Sequence, residues 1–364
     1  MTYTDRSNIA RRSHRRRAAL GLSAVTLVSV ACSGGHKKAA PPTTTSTVST
    51  TTVAPTTSTT TVPPTYPLTG MAATNKAQKN SPAVVIKIDN VDQARPQTGL
   101  EFADVVYEAE VEGGLTRLAA VYQSNYPSDV GPVRSGRLTD EGVADDLAHP
   151  VLVFAGTNAI FYPILQAQPV TLVTQTNHPE AFNRVGNNAP HNLFSSVATL
   201  ASKSTTHNPP PPLFTYMKAG QQLAGAGMTP AASVSMSWPA ASATWNYDAA
   251  TKRWNRLQNG TPDMLTDGVQ VTATNVVVYF CNYISSGTAS GEGVPDAEIP
   301  EGILTGSGGV WVFSGGRLVK GNWSRPSLTS VATYKDTAGH PISLAPGNTW
   351  VELAVNGTTP AVTP

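Results

Sequence analysis

Glu108, Glu110 and Glu112 alternate along a predicted strand, so their carboxylates project from one face while Val105, Tyr107, Ala109 and Val111 take the other. Arg117, beyond a turn at Gly113-Gly114, is placed to reach that face, as are Arg134 and Arg137 in the polar loop after Gly131. Guanidiniums facing carboxylates can hold a polar ligand, because Arg meets a carboxylate or phosphate with two parallel hydrogen bonds. Taken alone, the Glu run fits a solvated sheet face with ordinary ion pairs more simply than it fits a site.

Catalysis asks for more. A glycosidase-type mechanism needs two carboxyls roughly 5–10 Å apart. Glu108 and Glu112, two strand repeats apart, would span about 13 Å between Cα atoms, which disfavours that pair unless their side chains converge. Asp89 with Glu108 stays open as a pair. His191, between Pro190 and Asn192, is either a general base or a residue that hydrogen-bonds its own loop. Ser135 lacks the Gly-x-Ser-x-Gly elbow of an activated nucleophile. Gly306-Ser-Gly-Gly309 lacks the Lys and the helix of a phosphate loop and is expected to be a β turn. With single, scattered His residues and no cysteine cluster, neither a metal nor a cofactor is expected.

The elements that must carry these residues fall into two regions. From 67 to 215 the chain mixes strands with helices. Ala83–Asp89 and Pro150–Ala155 read as buried strands, Asp104–Glu112 and Thr116–Gln123 as a hairpin, and 158–168 and 195–203 as helices. This predicts an α/β or α+β N-terminal domain with a mixed sheet. A Pro-rich segment at 208–213 and a Gly/Ala-rich stretch to about 232 mark a change of composition. From 216 to 364 the pattern is that of a mainly antiparallel β domain, with strand character at 269–283, 310–313, 317–323 and 350–355. All six Trp lie in this half, where cross-strand packing accounts for most of them and one or two exposed rings would suit a sugar face. Cys281, within an apolar run, is expected to be a buried small hydrophobe.

The N-terminus reads as an address. Arg11, Arg12, Arg15, Arg16 and Arg17 precede a 14-residue uncharged run, Ala18–Ala31, that ends at Cys32. Residues 1–31 therefore look like a signal peptide, and the run falls short of the roughly 20 residues of a membrane-crossing helix. Ser29-Val-Ala-Cys32 is close to a lipobox, with lipidation at Cys32, although Ser29 stands where Leu, Val or Ile is usual. Ordinary cleavage with a free thiol is the alternative. Residues 32–66 hold the lipidated N-terminus and a Thr/Pro-rich stalk too poor in large apolar groups to build a core. Six of the 25 Lys and Arg and one of the 23 Asp and Glu lie in residues 1–31, which leaves 19 basic against 22 acidic groups, net −3. No basic cluster follows, so nucleic acid is not an expected partner.

Several motifs in order carry a resemblance. Lys87-Ile-Asp-Asn90, Arg95-Pro-Gln-Thr-Gly99, Ala103–Glu108, Glu112-Gly-Gly-Leu-Thr-Arg117, Gly131-Pro-Val-Arg-Ser-Gly-Arg137 and Ala189-Pro-His-Asn192 resemble the YerB-like lipoproteins. In the second half Asn275–Val278, Gly306–Phe313 and Gly321-Asn-Trp323 do the same. The resemblance implies a lipoprotein of two modules, both domains of unknown function. It shifts the balance toward a site at Asp89, Asn90, Arg95, Glu108, Arg117, Arg134, Arg137 and His191, which lie in Gly/Pro-bounded loops or at strand ends. The expected function is a lipid-anchored envelope protein, outside the cytoplasm, that binds a polar ligand, anionic or glycan-like, through Asp89, Asn90, Arg95, Arg117, Arg134 and Arg137. Its partners would be the membrane and cell-wall glycan or another envelope protein. The alternative is a hydrolase or transferase acting on wall material, with Asp89, Glu108, Glu112 and His191 as catalytic candidates.

Overall fold

The structure is a computed structural model that describes residues 63–218, 220–289 and 297–364. The signal peptide, Cys32 and most of the stalk lie outside the described residues.

Five strands open the fold: β1 (Val84–Asp89), β2 (Val105–Glu110), β3 (Thr116–Tyr122), β4 (Val151–Phe154) and β5 (Thr171–Thr174). β1 pairs antiparallel with β3 and parallel with β4, β4 pairs parallel with β5, and β2 pairs antiparallel with β3. This is the mixed sheet expected. Every residue of β1 is buried, as suits a strand covered on both faces, where Val and Ile can run almost continuously. The expected helices are present but short, at Tyr162–Gln166 and Val197–Ala201.

The sheet continues into the second half of the sequence. Thr349–Val355 pairs parallel with β2, and beyond it follow Asn275–Ala289, Gly306–Ser314, Arg317–Arg325 and Thr333–Asp336. Among the described residues this makes a 12-stranded sheet. A second, antiparallel sheet built on Ser233–Trp238, Ala241–Asp248 and Arg253–Gln258 shows the buried/open alternation of strands with one face inward. Its Trp245 and Trp254 pack in one core with Ile86, Ile88 and Leu118, while Val85, Ala119 and Ala109 point into the opposite core. Odd and even positions of β1–β3 thus feed different cores, as a period of two requires.

Three local expectations are revised or refined. Gly306-Ser-Gly-Gly309 is strand, not turn, paired with Arg325 to Asn322. Its glycines serve close approach, since a Cβ on Gly308 would lie 2.5 Å from the Phe280 carbonyl and 2.8 Å from the Trp323 indole nitrogen. Gly113 and Gly114 both take φ of +71°, the left-handed conformation that makes a Gly-Gly turn favourable here. Five of the six Trp are buried, and the sixth, Trp311, packs edge-on to Phe280 beneath the Lys320 ammonium.

Candidate functional site

A cleft of about 670 Å³ opens where β1 ends and β3 begins, lined among others by Asp89, Glu112, Arg117, Arg134 and His191. Each arrives on a different piece of backbone. Asp89 closes β1 and stands directly across from Arg117 in the β1–β3 register. Arg134 comes from a segment zipped to the edge of β1: its amide donates to the Lys87 carbonyl at 2.8 Å, and the Asp89 amide donates to the Pro132 carbonyl at 2.9 Å. His191 is carried by a hairpin of β6 (Asn183–Arg184) and β7 (Leu193–Phe194). Two side chains fasten that hairpin: Asn188 Nδ2 donates to the Gln93 carbonyl at 2.7 Å, and Asn192 Nδ2 to the Gly186 carbonyl at 2.9 Å.

Asp89 is the hub. Its Oδ2 receives Arg134 Nε at 3.0 Å and pairs with His191 Nδ1 at 2.7 Å. The carboxylate is 1% exposed, against 16% for the Arg134 side chain and 18% for His191, so a buried anion holds two partly open basic heads at the cleft wall. Beneath them Glu112 accepts from Arg137 Nε at 2.8 Å and from Arg117 Nη2 at 3.3 Å. Burial alone would raise the Glu112 carboxyl, but the Arg137 hydrogen bond and the two guanidinium charges hold it down at about 2. Lys87 Nζ pairs with Asp140 at 2.8 Å below the cleft, with burial pulling its ammonium down against the pull of Asp140. Lys87, Arg117, Arg134 and Arg137 thus interlock with Asp89, Glu112 and Asp140.

Glu108, Asn90 and Arg95 belong to a second network on the opposite face of the same strands. Glu108 Oε1 accepts from Thr116 Oγ1 at 2.7 Å and Asn90 Nδ2 at 3.1 Å, and Oε2 accepts from Arg256 Nη2 at 2.5 Å. Arg256 also donates to Asp263, which is paired on its other oxygen with Arg95. Burial works against the Arg256 charge, but Glu108 and Asp263 outweigh it and hold the guanidinium protonated. The cation also lies 4.9 Å from the Trp350 ring centroid. Glu352, beside Glu108 in the parallel register, takes the Trp245 indole N–H at 2.7 Å; burial, then the charge of Glu108, push its carboxyl well above the ordinary range.

Asp89, Arg117, Arg134, His191 and Glu112 are therefore brought together, Arg137 lies directly under them, and Glu108, Asn90 and Arg95 face elsewhere. Arg117 does not reach the Glu108 face: it stands opposite Ala109, one position out of phase with Glu108. It meets Glu112 only because β2 ends at Glu110 and a 3-10 turn over 112–114 carries Glu112 out of the alternation. Ser135 contributes its carbonyl, which accepts from Arg117 Nη1 at 3.3 Å. Lys87 and Asp140 escaped the sequence reading, although a lysine in an otherwise apolar, buried strand is itself a signal. Arg256 and Asp263 had none, since they sit in an ordinary-looking hairpin. Among the described residues no group of His, Cys, Asp and Glu is arranged to hold a metal ion.

Comparison with known proteins bears on this arrangement. Residues 68–209 match the N-terminal domain, and residues 233–351 the C-terminal domain, of the protein of unknown function DUF3048. A stretch of 71 residues is 48% identical to the "Putative lipoprotein YerB" of Bacillus subtilis (strain 168), covering 20% of this chain and 21% of that protein. The match thus spans about a fifth of that relative's length. The crystal structure of YerB protein from Bacillus subtilis shares the fold, with a TM-score of 0.67 over 82% of this chain and 99% of that one, at 20% identity.

Proposed function

Because the chain belongs to the DUF3048 family of YerB-like proteins, with both domains in order, we propose that it is a membrane-anchored lipoprotein of the cell envelope whose cleft binds an anionic ligand. Anchoring rests on Cys32 and on the lipoprotein name of the B. subtilis relative. No helix among the described residues is long and apolar enough to cross a membrane. Binding rests on one observation above the others: the buried Asp89 carboxylate fixes Arg134 and His191 at the wall of a cleft, with Arg117 directly across from it. A cleft of about 670 Å³ is of the size that takes a small ligand or one unit of a polymer. Arg117, Arg134 and His191 along its lining favour an anion, and a charged wall glycan is the polymer form such a ligand would take outside the membrane.

The test is retention of anionic cell-wall polymer by the purified full chain against a neutral glycan. The parent should retain the anionic material and Arg134→Gln should lose most of it. A folded parent that retains neither speaks against the reading.

The Asp89–His191 hydrogen bond also favours a second reading, hydrolase or transferase chemistry on wall material, because a carboxylate on Nδ1 orients an imidazole for general-base work at Nε2. Asp89 and His191 would carry it, with Glu108 behind the strand in the other network. Turnover of wall fragments that disappears in His191→Gln supports this reading; a parent without turnover removes it.

A further inference from the structure

We infer that the anion taken by the cleft is a phosphate group, and specifically a phosphomonoester, held between Arg117, Arg134 and His191. The inference rests on the reading of the cleft as an anion site and names the chemistry of its ligand.

Three basic side chains, Arg117, Arg134 and His191, line one cleft. Asp89 touches Arg134 and His191 at 3.0 and 2.7 Å, and Arg117 is its cross-strand neighbour. Directly opposed strand residues have Cβ atoms about 5 Å apart, which brings Arg117 to the same cleft as the pair held by Asp89. They come from β3, from the segment after Gly131 and from the β6–β7 hairpin, and so approach from different directions. A planar carboxylate is satisfied by one guanidinium fork. A tetrahedral group with three outward oxygens suits three heads.

The imidazole separates phosphate from other tetrahedral anions. With Nδ1 occupied by Asp89, His191 has Nε2 left for a ligand. A bare Nε2 accepts a proton from a ligand hydroxyl, and a protonated one donates to a ligand oxygen. Phosphomonoesters lose their second proton at a pKa of about 6, so near neutrality such a ligand can meet the ring nitrogen either as a hydroxyl donor or as an oxygen acceptor. Sulfate has the same shape and no proton to share at neutral pH. The charged groups facing His191 are Asp89 from β1, Arg117 from β3, Arg134 from the neighbouring segment and Glu112 from the 3-10 turn. Glu112 in turn accepts from Arg117 and Arg137.

The experiment is calorimetric titration of the purified full chain with inorganic phosphate, sn-glycerol 3-phosphate, sulfate and acetate at neutral pH. Phosphate and glycerol phosphate should bind at least tenfold more tightly than sulfate and acetate. Arg134→Gln and Arg117→Gln should each weaken phosphate tenfold or more. His191→Asn, which keeps a donor for Asp89, should abolish the preference for phosphate over sulfate while leaving sulfate binding in place. Equal affinity for sulfate and phosphate in the parent overturns the phosphate assignment and leaves the anion cleft standing, as does a preference for acetate. No binding of any anion by the folded parent overturns both.

A second arm uses a Cys32→Ser chain and vesicles with or without phosphatidic acid. Flotation with phosphatidic acid alone assigns the phosphate to a lipid headgroup. Glycerol phosphate binding without flotation assigns it to a soluble or polymer-borne ester. Either result supports the monoester.

Discussion

The Arg256 guanidinium and the Glu108 carboxylate, 148 positions apart in sequence, meet at 2.5 Å with neither side chain exposed to solvent. Through this pair the smaller antiparallel sheet is fastened to the strand that leads to the cleft. The same guanidinium serves Asp263 and Gln258, so one cation neutralises carboxylates from both halves of the sequence.

Removing that cation should be costly. Arg256→Ala leaves Glu108 and Asp263 buried without their shared partner, and a broken buried pair typically costs about 3–5 kcal/mol. Urea denaturation should show a loss of that order, with a smaller one for Glu108→Gln, which keeps the shape and the acceptor oxygen. A loss under about 1 kcal/mol in Arg256→Ala would show that the network contributes little beyond packing.

Ligand binding at the cleft should weaken with salt. The Arg134 and His191 side chains are partly open to solvent, and screening of exposed charges sets in over a Debye length of about 8 Å at physiological ionic strength. Raising sodium chloride from about 0.05 to 0.5 M should therefore lower the affinity of the parent for an anion several-fold. Arg134→Gln should bind more weakly at low salt and lose less on addition of salt. A parent affinity unaffected by salt argues against an electrostatic cleft.

Stability should be highest in mildly acidic solution, because two kinds of carboxyl pull in opposite directions. Glu112 is held at about 2, below the ordinary 4.5, so its contribution is full above about pH 4.5 and lost as pH falls through 2. Burial pushes Asp145 and Asp146 up to about 7 and Asp104 to about 6, from 3.8. Their contribution is full below about pH 3.8 and is lost as pH rises through 6 to 7. Urea midpoints measured from pH 2.5 to 8 should fall on both sides of a maximum near about pH 4. Asp146→Asn should flatten the limb above it and Glu112→Gln the limb below. A midpoint that does not change from pH 4 to 7 contradicts the assignment for the aspartates.

Cys281 should be silent toward thiol reagents in the native state. It is 2% exposed, and burial pushes its thiol up to about 12, so little thiolate exists near neutrality. In a Cys32→Ser chain, thiol titration should read close to zero before denaturant and one equivalent after it. Prompt native labelling would mean that this region of the Asn275–Ala289 strand opens readily.

Part of this architecture was legible without coordinates. The buried strands, the Gly-Gly hairpin, the mixed character of the first half and the antiparallel character of the second follow from local alternation and turn residues, which act over a few positions. Cys281 was placed inside by its apolar neighbours, and most of the Trp by cross-strand packing. The motifs shared with the YerB-like family include Asp89, Arg117, Arg134 and His191, which line one cleft.

What sequence could not determine was which side of the sheet each charged group would serve. A strand changes face with every residue, so Asp89 and Asn90, adjacent in the chain, enter different networks. The partners that decide their roles arrive from far away: His191 from 102 positions beyond Asp89, and Asp263 from 168 beyond Arg95. Period and composition say nothing about such pairings. They exist because the second half of the chain adds its strands to the edge of β2 and lays its smaller sheet over one face, while the cleft opens at the end of the other, beyond its own core.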